Sequence, residues 1–366
     1  MIKVIHTEWS DGWGGQEIRI ISEMTALRDC GVEVYLACRE NSHIRLEADK
    51  NHIKTFTLPF KGNFDFRTIF ALVRIIKEFN INVLNSHSGK DTWVGGIAAK
   101  IAGIKFIRTR HLSNPINNSR LNFINELADF IITTGESVRQ QMIINNRIVP
   151  EKIQSIPTGP DEENFNPKFY NQYICRKKFG IEESDYVIGM LAVLRKFKRH
   201  DRFLLMAKNM LEFFPNIPLK FFIAGEGPQR KKLESLIAEY ELNENVFLLG
   251  HINNQAEFLS SIDLFILASD SGEGVPQSLM QALMMNKLAI ATDVGSVRDL
   301  YCNGNFLLID KDSQEELNEC TKGLISNYIN TGENIYKEPR GYIVDNFSRK
   351  VMTKKIFAIY NKFYNK

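Results

Sequence analysis

The chain has 366 residues, of which 44% are hydrophobic and 24% charged, so it is long enough to bury the cores of two domains. The net charge of +3 does not indicate a nucleic-acid-binding protein, although a weak attraction to anionic lipid is compatible with it. No apolar run approaches the roughly 20 residues that cross a bilayer, and the N-terminus lacks the core of a signal peptide. The five cysteines are scattered without metal-ligand or redox spacing. We therefore predict a cytoplasmic protein with reduced cysteines.

The first half of the chain alternates short apolar strands with helices. The predicted strands are 2–5, 32–37, 83–85, 105–109 and 130–133. The predicted helices are 15–28, 66–79, 92–102 and 137–145. This alternation is typical of a parallel, doubly wound sheet, whose ligands gather at the carboxyl ends of the strands. The amphipathic helix 66–79 is expected to pack on the sheet, and membrane insertion is the alternative.

A glycine-rich loop follows the first strand. A dinucleotide-binding loop of the form G-x-G-x-x-G that starts at Gly12 needs glycine at position 17, where this chain has Glu17, so the pattern argues against NAD. The pair Gly14-Gly15 before the helix would still allow the backbone to approach a ligand closely.

Two histidines follow predicted strands. His87 comes after the strand 83–85, and His111 follows the strand that ends at Thr109. A neutral imidazole in such a place can both donate and accept a hydrogen bond, whereas a structural histidine more often lies inside an element. We expect His111 to be functional, with His87 and then His6, in the loop after the first strand, as weaker candidates.

The second half repeats the alternation after a segment rich in proline and acidic residues, PTGPDEENFNP, which indicates an interdomain hinge. We place domains at 1–160 and 161–345, with a C-terminal helix at 346–366. The predicted strands are 186–194, 219–224, 245–249, 264–268, 288–291 and 306–309. The C-terminal helix mixes lysines with apolar residues, so packing is favoured over a lipid anchor.

The stretch from Asp263 to Asp293 carries the clearest chemical pattern. A buried strand is followed by a polar loop, and Pro276 begins a helix without losing a needed N–H. The amides at that helix start suit a phosphate. Glu273 would be repelled by the phosphate, so we interpret it as an acceptor for the hydroxyls of a sugar carried on it. The alternative is a solvated loop glutamate.

Asp310 and Asp312 form an Asp-x-Asp pattern, a spacing of two carboxylates that can bind a metal ion. Here the pattern follows a late strand, and Asp312-Ser313 fits a helix cap, so we predict no metal site.

Glu273, the run G-V-P-x-S and Gln281, followed by Thr292-Asp293-Val294-Gly295, resemble the donor-binding motif of the family-4 retaining glycosyltransferases. The family usually has glutamate where this chain has Gln281. The hinge also matches, at Pro157, Gly159, Asp161, Phe165 and Pro167. The resemblance implies the α/β GT-B fold, with two Rossmann-like doubly wound domains facing a central cleft. The first domain would bind the acceptor, the second the nucleotide-sugar, and the C-terminal helix would cross back to the first domain.

The resemblance also implies roles for particular residues. His111 and Glu273 would be catalytic, and Gln281 and Ile252 would contact the ribose and the base. His87 and Ser278 are secondary candidates. The family's diphosphate arginine aligns with Val193, and because alternate residues of a strand share a face, Arg195 is expected to replace it beside Lys198. The expected diphosphate contacts are Arg195, Lys198, Gly14, Gly15, Gly274, Val275 and Pro276.

The implied activity is metal-independent, retaining transfer of a hexosyl or N-acetylhexosaminyl group from a nucleotide diphosphate-sugar, expected to be a UDP-sugar, without a cofactor. The acceptor would be a glycan or a lipid-linked saccharide of bacterial surface polysaccharide or lipopolysaccharide synthesis. Peripheral association with the inner face of the membrane is compatible with this setting. The alternatives are a sugar-nucleotide epimerase on the same fold and a degenerate sugar-nucleotide-binding module.

Overall fold

A computed structural model describes residues 1–111, 123–332 and 338–364. The chain forms two compact units. Unit 1 comprises Met1–Gly159 together with Arg349–Lys366, and unit 2 is Pro160–Ser348. The predicted boundaries followed residues 160 and 345, and the observed divisions follow Gly159 and Ser348.

Unit 1 is built on a seven-stranded parallel sheet. In chain order its strands are β1 (Lys3–Glu8), β2 (Glu33–Cys38), β3 (Lys54–Thr57), β4 (Val83–Ser86), β5 (Lys105–Arg110), β6 (Phe130–Thr133) and β7 (Ile153–Ser155). Its first helices are α1 (Gly15–Asp29), α2 (His43–Lys50), α3 (Phe66–Glu78), α4 (Gly89–Ala102), α5 (Ile124–Leu127) and α6 (Glu136–Asn146). The spatial order β3-β2-β1-β4-β5-β6-β7 reverses direction between β1 and β4. Ligands of doubly wound sheets bind at such a reversal.

Unit 2 is built on a six-stranded parallel sheet. Its strands are β8 (Tyr186–Leu191), β9 (Leu219–Ala224), β10 (Val246–Gly250), β11 (Leu264–Leu267), β12 (Leu288–Thr292) and β13 (Leu307–Ile309). Its helices are α7 (Gln172–Lys178), α8 (His200–Phe213), α9 (Arg230–Glu239), α10 (Gln255–Ser261), α11 (Gln277–Met284), α12 (Gln314–Thr331) and α13 (Arg340–Phe347). The spatial order β10-β9-β8-β11-β12-β13 reverses between β8 and β11.

The two faces of the unit 1 sheet carry separate apolar cores. Alternation along β1 sends Val4 to the face covered by α1 and Ile5 to the face covered by α3 and α4. The last helix, α14 (Arg349–Tyr364), packs against α1 on the first face, where Ile356 and Tyr360 are buried. Among the described residues, no helix combines the length and the apolarity that a membrane span needs.

Two strand ends lie three residues from their predicted positions. β1 continues to Glu8, so His6 lies inside a strand and not in a loop. β8 ends at Leu191, and the Arg195 N–H donates to the Val193 carbonyl at 2.7 Å, which turns the chain. Because of this turn, the assumption that Val193 and Arg195 share a strand face is wrong.

Candidate active site

Glu273 is a buried residue of the loop between β11 and α11, at the reversal point of the unit 2 sheet. Its side chain is 6% exposed, and its Oε1 accepts hydrogen bonds from Lys198 Nζ and Ser269 Oγ, both at 2.5 Å. The Lys198 side chain is 15% exposed. A solvated loop glutamate is therefore excluded. The structure brings Glu273 and Lys198 together as an ion pair.

The backbone around Glu273 is fixed from two neighbouring segments. Thr292 Oγ1, at the end of β12, donates to the Ser269 carbonyl at 2.5 Å, and Asp270 N–H donates to the Phe197 carbonyl at 2.9 Å. Gly295 has φ +57°, and a Cβ at this position would lie 1.9 Å from the Glu273 carbonyl oxygen. Only glycine permits this close approach.

The start of α11 follows directly in the chain. Its first intrahelical bond runs from Met280 N–H to the Pro276 carbonyl at 3.2 Å, so the amides of residues 277–279 have no acceptor within the helix. Val275 and Pro276 are buried, whereas Gly274 and Ser278 are partly exposed. These amides offer donors at the positive end of the helix dipole, beside a carboxylate and an ammonium group.

The two residues predicted to contact ribose and base lie elsewhere in unit 2. Gln281 is on α11 and partly exposed. Ile252 follows β10 and packs partly buried against the core cluster that contains Val275 and Leu279.

In unit 1, three histidines meet at the reversal point between β1 and β4. His6 Nδ1 lies 2.9 Å from His87 Nε2, and His87 Nδ1 lies 3.0 Å from His111 Nε2. Burial lowers the pKa of His6 to about 3 and those of His87 and His111 well below the ordinary value. All three rings are therefore neutral at pH 7. The structure thus brings His111 together with both of the weaker candidates, His87 and His6.

Two buried carboxylates stand beside the histidines. Asp91 accepts hydrogen bonds from the His87 and Ser88 N–H groups, each at 2.9 Å. Glu8 accepts from Ser88 Oγ at 2.6 Å and from Gln16 Nε2 at 2.5 Å. Burial raises the pKa of Glu8 and raises that of Asp91 well above its usual range.

Sequence reasoning gave no role to Glu8, Asp91 or Ser269. Only Asp91 has a signal in the sequence. It occupies the third position of α4, three residues after Ser88, and this spacing matches a helix capping pattern. Nothing in the sequence separates Ser269 from the other loop serines.

Comparisons with known proteins assign the family. The model described as Glycosyltransferase Family 4 matches residues 13–164, and the one described as Glycosyl transferases group 1 matches residues 172–341. The chain belongs to the family-4 glycosyltransferases with the GT-B fold. This glycosyltransferase is 23% identical to the Escherichia coli UDP-Gal:alpha-D-GlcNAc-diphosphoundecaprenol alpha-1,3-galactosyltransferase, over 98% of this chain and 96% of the relative. It is 26% identical to the Staphylococcus aureus capsular polysaccharide biosynthesis glycosyltransferase CapH, over 80% and 82%.

Solved structures agree on the fold of the glycosyltransferase. A glycosyltransferase from Rickettsia africae ESF-5 superposes with a TM-score of 0.90 at 19% identity, covering 99% of this chain and 98% of that one. Anabaena Alr3699/HepE in complex with UDP superposes with a TM-score of 0.84 at 17% identity, covering 99% and 100%.

Arg195 of the glycosyltransferase does not follow the predicted geometry. Neighbouring residues of a strand point to opposite faces, so a strand register would separate Arg195 from Lys196, whereas both line a cavity of about 160 Å³ with Arg199 and Asp270. Lys198 and Glu273 are not among the residues that line this cavity. The diphosphate role of Arg195 stays a prediction, without the strand register that supported it.

The Gly14-Gly15 pair begins α1 as expected, but one of its amides is already engaged. Gly14 N–H donates to Glu17 Oε2 at 2.9 Å, while Gly15 is exposed. A diphosphate that approached Gly14 would meet the Glu17 carboxylate.

The Asp-x-Asp segment makes local contacts in the glycosyltransferase. Asp310 Oδ1 accepts from the Asp312 N–H at 2.7 Å, and Asp312 pairs with Lys311 at 2.5 Å. Ser313 caps α12 by accepting from the Glu316 N–H at 3.0 Å, as its sequence position predicts. In the part of the chain that the structure describes, no group of three His, Cys, Asp or Glu side chains could hold a metal ion.

Proposed function

We propose that the enzyme is a retaining glycosyltransferase that moves a hexosyl or N-acetylhexosaminyl group from a UDP-sugar to a glycan or lipid-linked acceptor. The observation that carries the proposal is the buried Lys198–Glu273 pair beside the free amides of α11. The pair supports the proposal because a carboxylate suits sugar hydroxyls, a cation suits a diphosphate, and both lie at one sheet reversal.

The same residues assist the departure of the diphosphate leaving group. Lys198 and the α11 amides stabilise the negative charge that develops on the leaving group, so the reaction needs neither metal nor cofactor. Glu273 orients the sugar through its hydroxyls. His111 of unit 1 aligns the sugar and the acceptor for attack on the face that the leaving group vacates.

Relatives support the choice of donor and setting. One is named for a UDP-Gal donor and an alpha-D-GlcNAc-diphosphoundecaprenol acceptor, and HepE has been solved with UDP and with UDP-glucose. Other relatives are named for capsular polysaccharide and O-antigen biosynthesis. We extend these properties to this chain, with action in the cytoplasm at the inner face of the membrane.

An exposed aromatic surface on unit 1 supports peripheral membrane association. Phe66 and Phe70 lie on the outer face of α3 and are 66% and 65% exposed, beside the exposed cations Arg67 and Arg74. Aromatic and cationic side chains on one helix face suit the interface of an anionic bilayer.

The deciding experiment is turnover of UDP-sugars with and without a saccharide acceptor in excess EDTA, with the product anomer determined by NMR. We expect transfer with retained configuration that EDTA leaves intact. An inverted product, or loss of activity that manganese or magnesium restores, contradicts the proposed mechanism. Interconversion of UDP-sugars without an acceptor would identify an epimerase. Binding without any turnover would identify a binding module.

A further inference from the structure

The three histidines of unit 1 form one continuous hydrogen-bonded chain. The rings of His6 and His87 are within 10° of parallel, and their centroids are 5.2 Å apart. Because the facing nitrogens are only 2.9 Å apart, these rings meet edge to edge, in the geometry of an N–H···N hydrogen bond. The rings of His87 and His111 have the same centroid separation and are inclined by 36°.

The number of ring protons allows only two arrangements of the three hydrogen-bonded histidines. A neutral imidazole has one N–H and one lone pair, so each N···N contact requires a donor on one side and an acceptor on the other. Burial keeps the three rings neutral, and the buried Arg19 further disfavours cationic His87 and His111. Either every ring carries its proton on Nδ1, or every ring carries it on Nε2. The tautomer of His111 is therefore set by the tautomer of His6.

His6, at the buried end of the three hydrogen-bonded histidines, distinguishes the two arrangements. His6 Nε2 is buried and has no hydrogen-bond partner. With all protons on Nε2, this atom would be an unpartnered N–H, whereas with all protons on Nδ1 it is an unpartnered lone pair. Unpartnered buried N–H groups are rarer in proteins than unsatisfied acceptors. The Nδ1–H arrangement is therefore favoured, and it leaves the Nδ1–H of His111 at the partly exposed end.

We propose that His6 and His87 are positioning residues that fix His111 as an Nδ1–H donor toward an oxygen of the bound sugar or phosphate. In this arrangement the lone pair of His111 accepts from His87, so His111 does not deprotonate the acceptor hydroxyl. The contact with substrate rests on the function proposed above. The tautomer of His111 itself depends only on the hydrogen bonds among the three histidine side chains.

The tautomer is tested directly in the unliganded wild-type protein. Nitrogen-15 NMR of histidine-labelled protein at pH 7 distinguishes protonated from unprotonated ring nitrogens. We expect His6, His87 and His111 all to carry the proton on Nδ1. Protonation of His111 on Nε2 would overturn the proposal, whether or not the protein transfers sugar.

Variants of His6 test the coupling to turnover. In His6→Leu the donor to His87 is lost, so His111 should populate both tautomers and kcat should fall about 10-fold, with the KM for the UDP-sugar unchanged. His6→Asn should restore kcat, because the Asn amide nitrogen occupies the position of Nδ1. Val4→Ala removes buried methyl groups from the same strand and should alter neither readout. An unchanged His111 tautomer and kcat in His6→Leu would overturn the proposal. Absence of transfer by the wild type would refute the function alone, and the NMR result would still decide the histidine chain.

Discussion

The side chain of Glu273 depends on Lys198 for its charge balance. Both are largely buried, and breaking such a pair by removing one partner leaves an uncompensated buried charge. Substitution of Glu273 by alanine would therefore mix a loss of sugar contact with a loss of stability. Glutamine also leaves the Lys198 charge without a counter-charge, but it keeps the shape of the side chain and a carbonyl acceptor for Ser269 and Lys198, so it is the sharper probe.

We expect Glu273→Gln to lower kcat roughly 100-fold while the Kd for free UDP changes less than about 3-fold, because UDP lacks the sugar that Glu273 orients. Steady-state kinetics and calorimetric titration with UDP measure the two effects. Glu239→Gln, an exposed change on α9, is the control. Equal losses of kcat and of UDP affinity would contradict the role of Glu273.

Arg195→Ala should weaken UDP binding by roughly 10- to 150-fold if its guanidinium meets the diphosphate, because a hydrogen bond to a charged group contributes about 1.5–3 kcal/mol. Lys196 lines the same cavity and so is no neutral control. Lys208→Ala, on the exposed part of α8, is therefore the control. A titration in which Arg195→Ala and Lys208→Ala bind UDP equally would remove Arg195 from the site.

At the scale of elements, the carboxyl ends of β8, β11 and β12 are held together by contacts to the backbone of the loop after β11. Ser269 and Asp270 are tied to Thr292 and Phe197, and Gly295 touches the carbonyl of Glu273. A substitution in the loop after β12 should therefore alter the position of the Glu273 carboxylate, which follows β11.

Gly295→Ala should destabilise unit 2 by about 1–3 kcal/mol and weaken donor binding, because a left-handed φ is strained for alanine and its Cβ would displace the Glu273 carbonyl. Gly323→Ala is the matched control. Gly323 lies exposed inside α12 with nothing within 4 Å of an added Cβ, so alanine should stabilise by about 0.5–1 kcal/mol. Chemical denaturation and UDP titration measure both, and a Gly295→Ala protein with wild-type stability would disprove the contact.

Phe70→Ser should weaken binding to vesicles that contain phosphatidylglycerol by about 10-fold, since insertion of a phenylalanine contributes about 1.5–3 kcal/mol. Phe169→Ser is the control, because Phe169 of unit 2 is 67% exposed and is not on α3. Co-sedimentation with vesicles decides the outcome. Equal binding by the two variants would exclude α3 as the membrane surface.

The sequence predicted the elements whose apolar runs are buried on both faces, such as β6 and β9. It missed β3, a half-exposed edge strand, and α2, where only Ile44 and Ala48 are buried, because neither has a long apolar pattern. It predicted roles for Glu273 and His111 from their places after strands, and these roles stay predictions. The link through His6 could not be predicted, because it depends on which strands are neighbours in the sheet.

At the scale of the whole molecule, unit 1 combines the first part of the chain with α14. Tyr360 of α14 accepts a hydrogen bond from Asn85 Nδ2 at 2.9 Å, and its hydroxyl donates to Glu23 Oε1 at 3.4 Å. Burial raises the pKa of Tyr360 well above its ordinary value, so the hydroxyl stays protonated.

Tyr360→Phe should destabilise unit 1 by about 1–3 kcal/mol, because the buried amide of Asn85 and carboxylate of Glu23 each lose a partner. Hydrogen exchange should speed up in β1 and β4 and stay unchanged in β8 and β11. Tyr364→Phe is the control in the same helix, since its hydroxyl makes an exposed contact to the N-terminal ammonium. Faster exchange in both units, or in neither, would contradict this local role.

The return of α14 to unit 1 has a consequence for biosynthesis. Ile356 and Tyr360 leave the ribosome only after all of Pro160–Ser348. Until then one face of α1 in the nascent first unit is uncovered, while the second unit can already fold. During that interval Ile20, Met24 and the buried Arg19–Glu23 pair lack their cover. Exposed apolar surface of this kind is what chaperones bind, so maturation of the enzyme should depend on chaperones until translation of the last helix is complete.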